Sequence, residues 1–270
     1  MISYVERMLI YPAPSIDRGN WKTKWLDKED VHFESSGGVR LHGWYAPVEN
    51  PDCVVLYSHG QSEHVANLIN VVARLQESLN ASVLVYDYRG YGKSQGVPTE
   101  AGCVADGLAA QQWLAERAGV LPEELVIVGR SLGGAVSTAI AAERGARALV
   151  LENTFSRLTD VAAYRYPWLP VRQVMRNRYD SVERISQYTG PLFQMHGTRD
   201  RVVPAKFARE LFSACPSAHK RFYTVRGGNH FDSTPPAFYA KLREFLAQDE
   251  TPTSYGLLDP APTLATPSVA

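Results

Sequence analysis

Ser131, Asp200 and His230 are the residues of this sequence whose types and settings could together carry acyl transfer. Ser131 stands in Gly129-Arg130-Ser131-Leu132-Gly133, a match to G-x-S-x-G. Upstream, residues 124–128 (Glu-Leu-Val-Ile-Val) read as a short buried strand, and downstream residues 134–143 read as a tightly packed helix. A serine on a sharp turn between such elements takes a strained backbone conformation, so its neighbours must be small. Gly129, Gly133, Gly134 and Ala135 are. The turn presents the hydroxyl above the sheet edge, and the helix N-terminus behind it favours developing negative charge.

A serine nucleophile needs a base, and the base needs an orienting acid. When the serine sits on such an elbow, the partners follow in the order acid, then histidine. Residues 190–200 read as a strand and a glycine turn ending on Asp200. Residues 221–225 read as the last strand, leading through Gly227-Gly228-Asn229 to His230 on a loop. Glu152 ends the preceding strand and competes for the acid's place, but Asp200 has the better position. Asp232 is too near His230 to reach its Nδ1 without a very tight turn, and His196 reads as a scaffold residue. Two backbone N–H groups must also meet the oxyanion. The expected donors are Leu132, directly after the nucleophile, and Gln61, in the loop that follows the strand of residues 53–58 and opens with His59-Gly60.

Ser58-His59-Gly60, Asp87-Tyr88-Arg89-Gly90-Tyr91-Gly92-Lys93-Ser94, Gly129-Arg130-Ser131-Leu132-Gly133-Gly134, His196-Gly197-Thr198-Arg199-Asp200 and Gly228-Asn229-His230 together resemble the α/β-hydrolase superfamily. Within it they look like the bud-emergence-type subgroup of serine hydrolases. The likeness spans roughly residues 1–248, since residues 7–12 (Arg-Met-Leu-Ile-Tyr-Pro) and 166–170 (Tyr-Pro-Trp-Leu-Pro) share it. It implies an α/β-hydrolase fold: a mostly parallel sheet of about eight strands, helices on both faces, and a cap inserted before the acid's strand. The subgroup includes palmitoyl-protein thioesterases, and many members carry an amino-terminal membrane segment or acylated cysteines; this sequence shows neither.

The elements that must position these residues can be traced along the chain. Residues 31–35 and 39–45 alternate around Ser36-Gly37-Gly38 as an opening hairpin. From Cys53 onward, apolar strands (53–58, 82–86, 124–128, 147–151) alternate with helical patterns (65–80, 99–117, 134–143), which implies helices over both faces of a parallel sheet. Ligands then bind at the carboxyl ends of the strands. Residues 153–190 hold no convincing strand and form the small cap insertion, room for two short helices; Tyr166 and Trp168 are its candidate acyl-pocket residues. Asp87 to Ser94 reads as a turn buttressing the oxyanion loop. One domain over residues 1–248 is expected, with a disordered Pro/Thr/Ala-rich tail at 249–270.

Composition narrows the partners. The 28 Lys and Arg balance 28 Asp and Glu, so no global field attracts nucleic acid or an anionic bilayer. Three widely spaced cysteines, Cys53, Cys103 and Cys215, suit free thiols in a reducing, cytoplasmic setting better than a disulfide scaffold. No stretch approaches the ~20 apolar residues of a transmembrane segment. Ile2, Val5, Met8 and Leu9 make one apolar face of a short helix, expected to pack on the domain, with peripheral membrane contact as the alternative. Oligomeric state leaves no signature. Gly92-Lys93-Ser94 lacks the glycine of a phosphate-binding loop, because Asp87 stands in its place. His59, Glu63 and His64 miss the spacing of an inverted zinc motif, so no metal or cofactor is expected.

The expected activity is therefore hydrolysis of a carboxylic ester or thioester, a small-molecule acyl substrate, through Ser131, His230 and Asp200 and a covalent acyl-enzyme. Amide or peptide hydrolysis is the alternative within enzymes. A catalytically silent membrane-associated adaptor is the alternative outside them.

Overall fold

The computed structural model describes residues 2–248, and the side chains of residues 4–248. The expected tail at 249–270 lies outside the described residues. The hairpin of β1 (Glu29–Ser35) and β2 (Val39–Ala46) opens a sheet that continues with β3 (Cys53–Ser58), β4 (Ala81–Tyr86), β5 (Val126–Arg130), β6 (Ala148–Glu152), β7 (Leu192–Gly197) and β8 (Lys220–Val225). Their spatial order is β1-β2-β4-β3-β5-β6-β7-β8. The β1–β2 and β2–β4 pairings are antiparallel, and every pairing from β4 through β3 to β8 is parallel.

Strands such as β3 read as unbroken apolar runs because both of their faces are covered. The two-residue period divides the inner strands between two cores. Val54 and Leu56 face the core built with α3 (Glu100–Ala118) and α4 (Leu132–Arg144). Cys53, Val55 and Tyr57 face the other, built with α2 (Ile69–Leu79) and α9 (Pro236–Leu246). Thr99 caps α3 by accepting the Gly102 N–H at 3.1 Å, and Gly119, at φ 67°, ends it in the left-handed region. All three cysteines are free and buried, and loss of hydration pushes the Cys53 and Cys103 thiols up to about 12.

The segment expected as a cap holds three helices rather than two: α5 (Leu158–Arg165), α6 (Val171–Val174) and α7 (Ser181–Ile185). A further helix, α8 (Ala205–Ala214), links β7 to β8. The amino-terminal helix α1 (Ile2–Ile10) corrects an expectation. Val5, Met8 and Leu9 do not pack on the domain but face outward. The Ile2 side chain lies outside the described residues. Among the described side chains of the helix, Glu6 and Ile10 are the buried ones, and the Glu6 carboxylate accepts from backbone N–H groups of the cap.

Candidate active site

The elbow is built where β5 passes into α4. Ser131 sits at φ 53° and ψ −117°, a backbone conformation that is costly for any residue with a Cβ and needs support. Ser131 N–H donates to the Glu152 carbonyl at 2.9 Å, and Thr154 Oγ1 donates to the Ser131 carbonyl at 2.8 Å, so both ends of the residue are pinned to β6 and the loop after it. The close approach of α4 to the sheet explains the small flanking residues. A Cβ on Gly133 would overlap the backbone carbonyls of Ser58 and His59. Gly133→Ala should therefore cost at least about 2 kcal/mol of stability. A urea-unfolding midpoint equal to the parent's would show that the elbow can shift to make room.

His230 Nε2 lies 3.0 Å from Ser131 Oγ, and its Nδ1 lies 2.7 Å from Asp200 Oδ2. A carboxylate only accepts, so Nδ1 carries the proton and Nε2 is free to accept from the serine hydroxyl. Asp200 is buried and met on all sides. Its Oδ1 accepts from the amides of Val202 and Val203 at 2.9 and 2.8 Å. Its Oδ2 also lies 3.3 Å from His196 Nε2, which donates to the Val203 carbonyl at 2.8 Å. Burial alone would raise the Asp200 carboxyl; the hydrogen bonds from His196 and His230, the charge of His230 and the Val203 amide outweigh it and hold Asp200 well below the usual carboxylate range.

Glu152 is placed otherwise. Its Oε2 accepts from Thr234 Oγ1 at 2.8 Å, away from the imidazole. Burial holds its carboxyl above the ordinary range, with Arg130 and the Thr234 bond pulling the other way. Asp232 receives the Asn229 amide at 2.8 Å rather than the ring of His230.

The loop expected to carry an oxyanion donor is held from beneath. His59 Nδ1 donates to the Gly60 carbonyl at 2.7 Å, and the Glu63 amide donates to the same oxygen at 3.3 Å. Within one trans peptide the C=O and N–H point opposite ways, so fixing the Gly60 carbonyl also fixes the direction of the Gln61 N–H. Tyr88 and Tyr91 hydroxyls donate to the carbonyls of His59 and Gln61, each at 3.0 Å, which is how the Asp87-to-Ser94 segment meets this loop. Leu132 is the first residue of α4 and has no intrahelical acceptor for its N–H. Among the described residues, neither the Gln61 nor the Leu132 amide is engaged in a hydrogen bond outside regular elements.

Two positioning residues escape a sequence reading. Arg130 Nη2 donates to the carbonyls of His230 and Asp232 at 2.8 and 2.9 Å. Asn153 Nδ2 reaches the His230 carbonyl at 3.3 Å, and its Oδ1 accepts from the Gly197 amide at 3.2 Å. The loop that carries the imidazole is thus fastened to the elbow strand and to β7. Asn153 has φ 47°, a left-handed residue just past a strand end, and that is the one signal that asparagine there could have offered.

Ser131 opens into a cleft of about 760 Å³ bounded by the oxyanion loop, α2 and α9, with Asn70, Arg74, Glu77, Phe231, Thr234 and Tyr239 among its walls. Tyr166 and Trp168 are not part of it, which corrects their assignment to the acyl pocket. Their rings pair edge to face at 5.9 Å on the cap, and Trp168 stands in solvent, 74 % exposed.

Comparison with known proteins agrees with this architecture. Residues 49–179 match the family described as serine aminopeptidase, S33. An uncharacterized protein of Mycobacterium tuberculosis (strain H37Rv) is 38 % identical over 205 residues, covering 75 % of this chain and 72 % of its own length. Protein bem46 of Schizosaccharomyces pombe is 28 % identical over 265 residues, covering 92 % of this chain and 89 % of its own. The chain belongs to the α/β-hydrolase family. An esterase of Pyrococcus furiosus shares the α/β-hydrolase fold at a TM-score of 0.71 and 20 % identity, covering 88 % of this chain and 97 % of its own. In this α/β-hydrolase the cleft opens at the carboxyl ends of β3 and β5, the place where such sheets bind ligands.

Proposed function

We propose that this α/β-hydrolase cleaves carboxylic esters or thioesters by acyl transfer to Ser131. The observation that carries the reading is the relay from Ser131 Oγ to His230 Nε2 at 3.0 Å and from His230 Nδ1 to Asp200 Oδ2 at 2.7 Å. In this reading Ser131 Oγ attacks the carbonyl carbon while His230 Nε2 takes the hydroxyl proton, and Asp200 stabilises the imidazolium. The Gln61 and Leu132 amides receive the oxyanion. His230 then returns the proton to the departing alcohol or thiol, leaving an acyl-serine. Water, deprotonated by the same imidazole, releases the acid.

The walls of the cleft favour small acyl groups. Asn70, Arg74, Glu77 and Thr234 offer hydrogen bonds and charge, with Phe231 and Tyr239 as apolar relief. Across p-nitrophenyl esters of graded length, kcat/KM should rise over the first few carbons, by about 0.8 kcal/mol for each methylene that is buried, and then level or fall. A value that climbs through long chains, or activity only above the substrate's micellar concentration, would contradict the open polar cleft. The family's description as a serine aminopeptidase makes amide cleavage the second reading. Amino-acid p-nitroanilides in the same panel decide between them: turnover of anilides above that of the esters would reverse the order.

A further inference from the structure

The helix α1 is mounted on the body by its polar side. Glu6 is buried, and its Oε1 accepts from the amides of Arg176 and Asn177 at 2.9 and 2.7 Å and from the Asn177 side chain at 3.0 Å. Just past the helix, Tyr11 Oη donates to Asn177 Oδ1 at 2.9 Å. Ile10 is buried one turn beyond Glu6 on the same face. At 100° per residue, Tyr4 and Met8 fall opposite these two, and Val5 and Leu9 continue the arc along one flank. All four are between 51 and 61 % exposed. The helix therefore presents its apolar arc outward, and its only carboxylate is occupied inside.

The same bonds place α1 beside the end of α6, where a second group of exposed apolar side chains lies: Tyr164, Trp168, Leu169 and Val174. Most of the charge between the two groups is positive, and the carboxylates nearest to it are engaged, Asp160 with Arg172, Asp180 with Arg157 and Glu100 with Arg184. Residues 161–179 contain four arginines and no acid. Arg165, Arg176 and Arg178 are exposed, while Arg172 is engaged with Asp160 at 2.9 Å. On α1 the Arg7 guanidinium lies over the Tyr4 ring at 5.3 Å.

An apolar arc flanked by arginines and aromatic side chains has the chemistry of a helix lying in a lipid–water interface. We propose that α1 and the α5–α6 segment form a docking surface for an anionic lipid bilayer. Tyr4, Val5, Met8, Leu9 and Trp168 enter the headgroup and upper acyl region, and Arg7, Arg165, Arg176 and Arg178 meet lipid phosphates. A second copy of the chain is a poorer occupant, because it would bring the same positive charge against this face. Neither the triad nor the cleft enters into this surface, so it stands or falls apart from the reaction.

Flotation of the full chain with vesicles tests it. The protein should float with equimolar phosphatidylcholine and phosphatidylglycerol, and far less with phosphatidylcholine alone. Raising the salt to about 1 M should release most of it. Met8→Gln combined with Leu9→Gln should lower the partition coefficient by a factor on the order of 10 or more. The same variant should keep the parent's urea midpoint and its turnover of p-nitrophenyl acetate. The proposal is overturned if the full chain stays in solution with anionic vesicles, or if the double variant floats as well as the parent. It is equally overturned if light scattering shows a dimer that the double substitution dissolves, since the face would then belong to a second copy.

Discussion

Ser131→Ala is expected to lower kcat/KM for any substrate of this enzyme by roughly 10³ to 10⁶, the range found when the nucleophile of a concerted triad is removed. The loss should be one of chemistry alone. The Ser131 hydroxyl caps nothing at the start of α4; its bonding partner is His230 Nε2. The backbone bonds that pin the elbow, to the Glu152 carbonyl and from Thr154 Oγ1, use main-chain atoms that alanine retains. Alanine also carries the same Cβ at the same strained φ, so the cost of that conformation is unchanged. The melting temperature should stay within a few degrees of the parent's. Residual hydrolysis above a few per cent, in protein free of contaminating esterase, would remove Ser131 from the reaction.

The second large effect concerns the acid. Asp200→Asn should reduce kcat by roughly 10⁴, because an amide nitrogen facing His230 Nδ1 cannot accept its proton and so favours the wrong tautomer. The Val202 and Val203 amides, which donate to Oδ1, define which end of the new side chain must be the oxygen. They thereby direct the NH₂ at the ring. Glu152→Gln should cost far less: its carboxyl bonds Thr234 rather than the imidazole, and burial already favours its neutral form. Rates falling in the reverse order would place the orienting carboxylate at the end of β6.

The contrast between what could and could not be read from sequence has a physical basis. The elbow was legible because the close approach of α4 to β3 and β5 leaves room only for glycine and alanine, a restriction written into consecutive residues. Asp200 was legible because it follows β7, which is buried along its length, and strands of a covered parallel sheet read as apolar runs. His230 was legible from the glycine-rich loop that follows β8, a half-buried strand at the sheet edge. The helices α8 and α9 left a signal that was not used: Phe207, Ala208 and Leu211, and Phe238, Leu242 and Phe245, repeat at helical spacing. Arg130 and Asn153 left almost none. They act on the His230 carbonyl across 100 and 77 residues of sequence, and main-chain acceptors have no residue identity to read. For α1 the periodicity revealed an apolar arc but not its direction, which the bonds of buried Glu6 decide. Tyr166 and Trp168 failed for a related reason. Aromatic composition marks the cap but carries no signal of which way its side chains point.

Labelling with a fluorophosphonate tests the nucleophile most directly, since the reagent mimics an ester carbonyl and forms a stable bond only with a serine whose oxygen is activated. Intact-mass measurement should show one adduct per chain, and peptide mapping should place it on Ser131 in the segment Gly129–Gly133. Ser131→Ala should take up no label, and His230→Ala should take it up far more slowly. An unlabelled parent protein, or an adduct on any other residue, would contradict the assignment of Ser131 as the nucleophile.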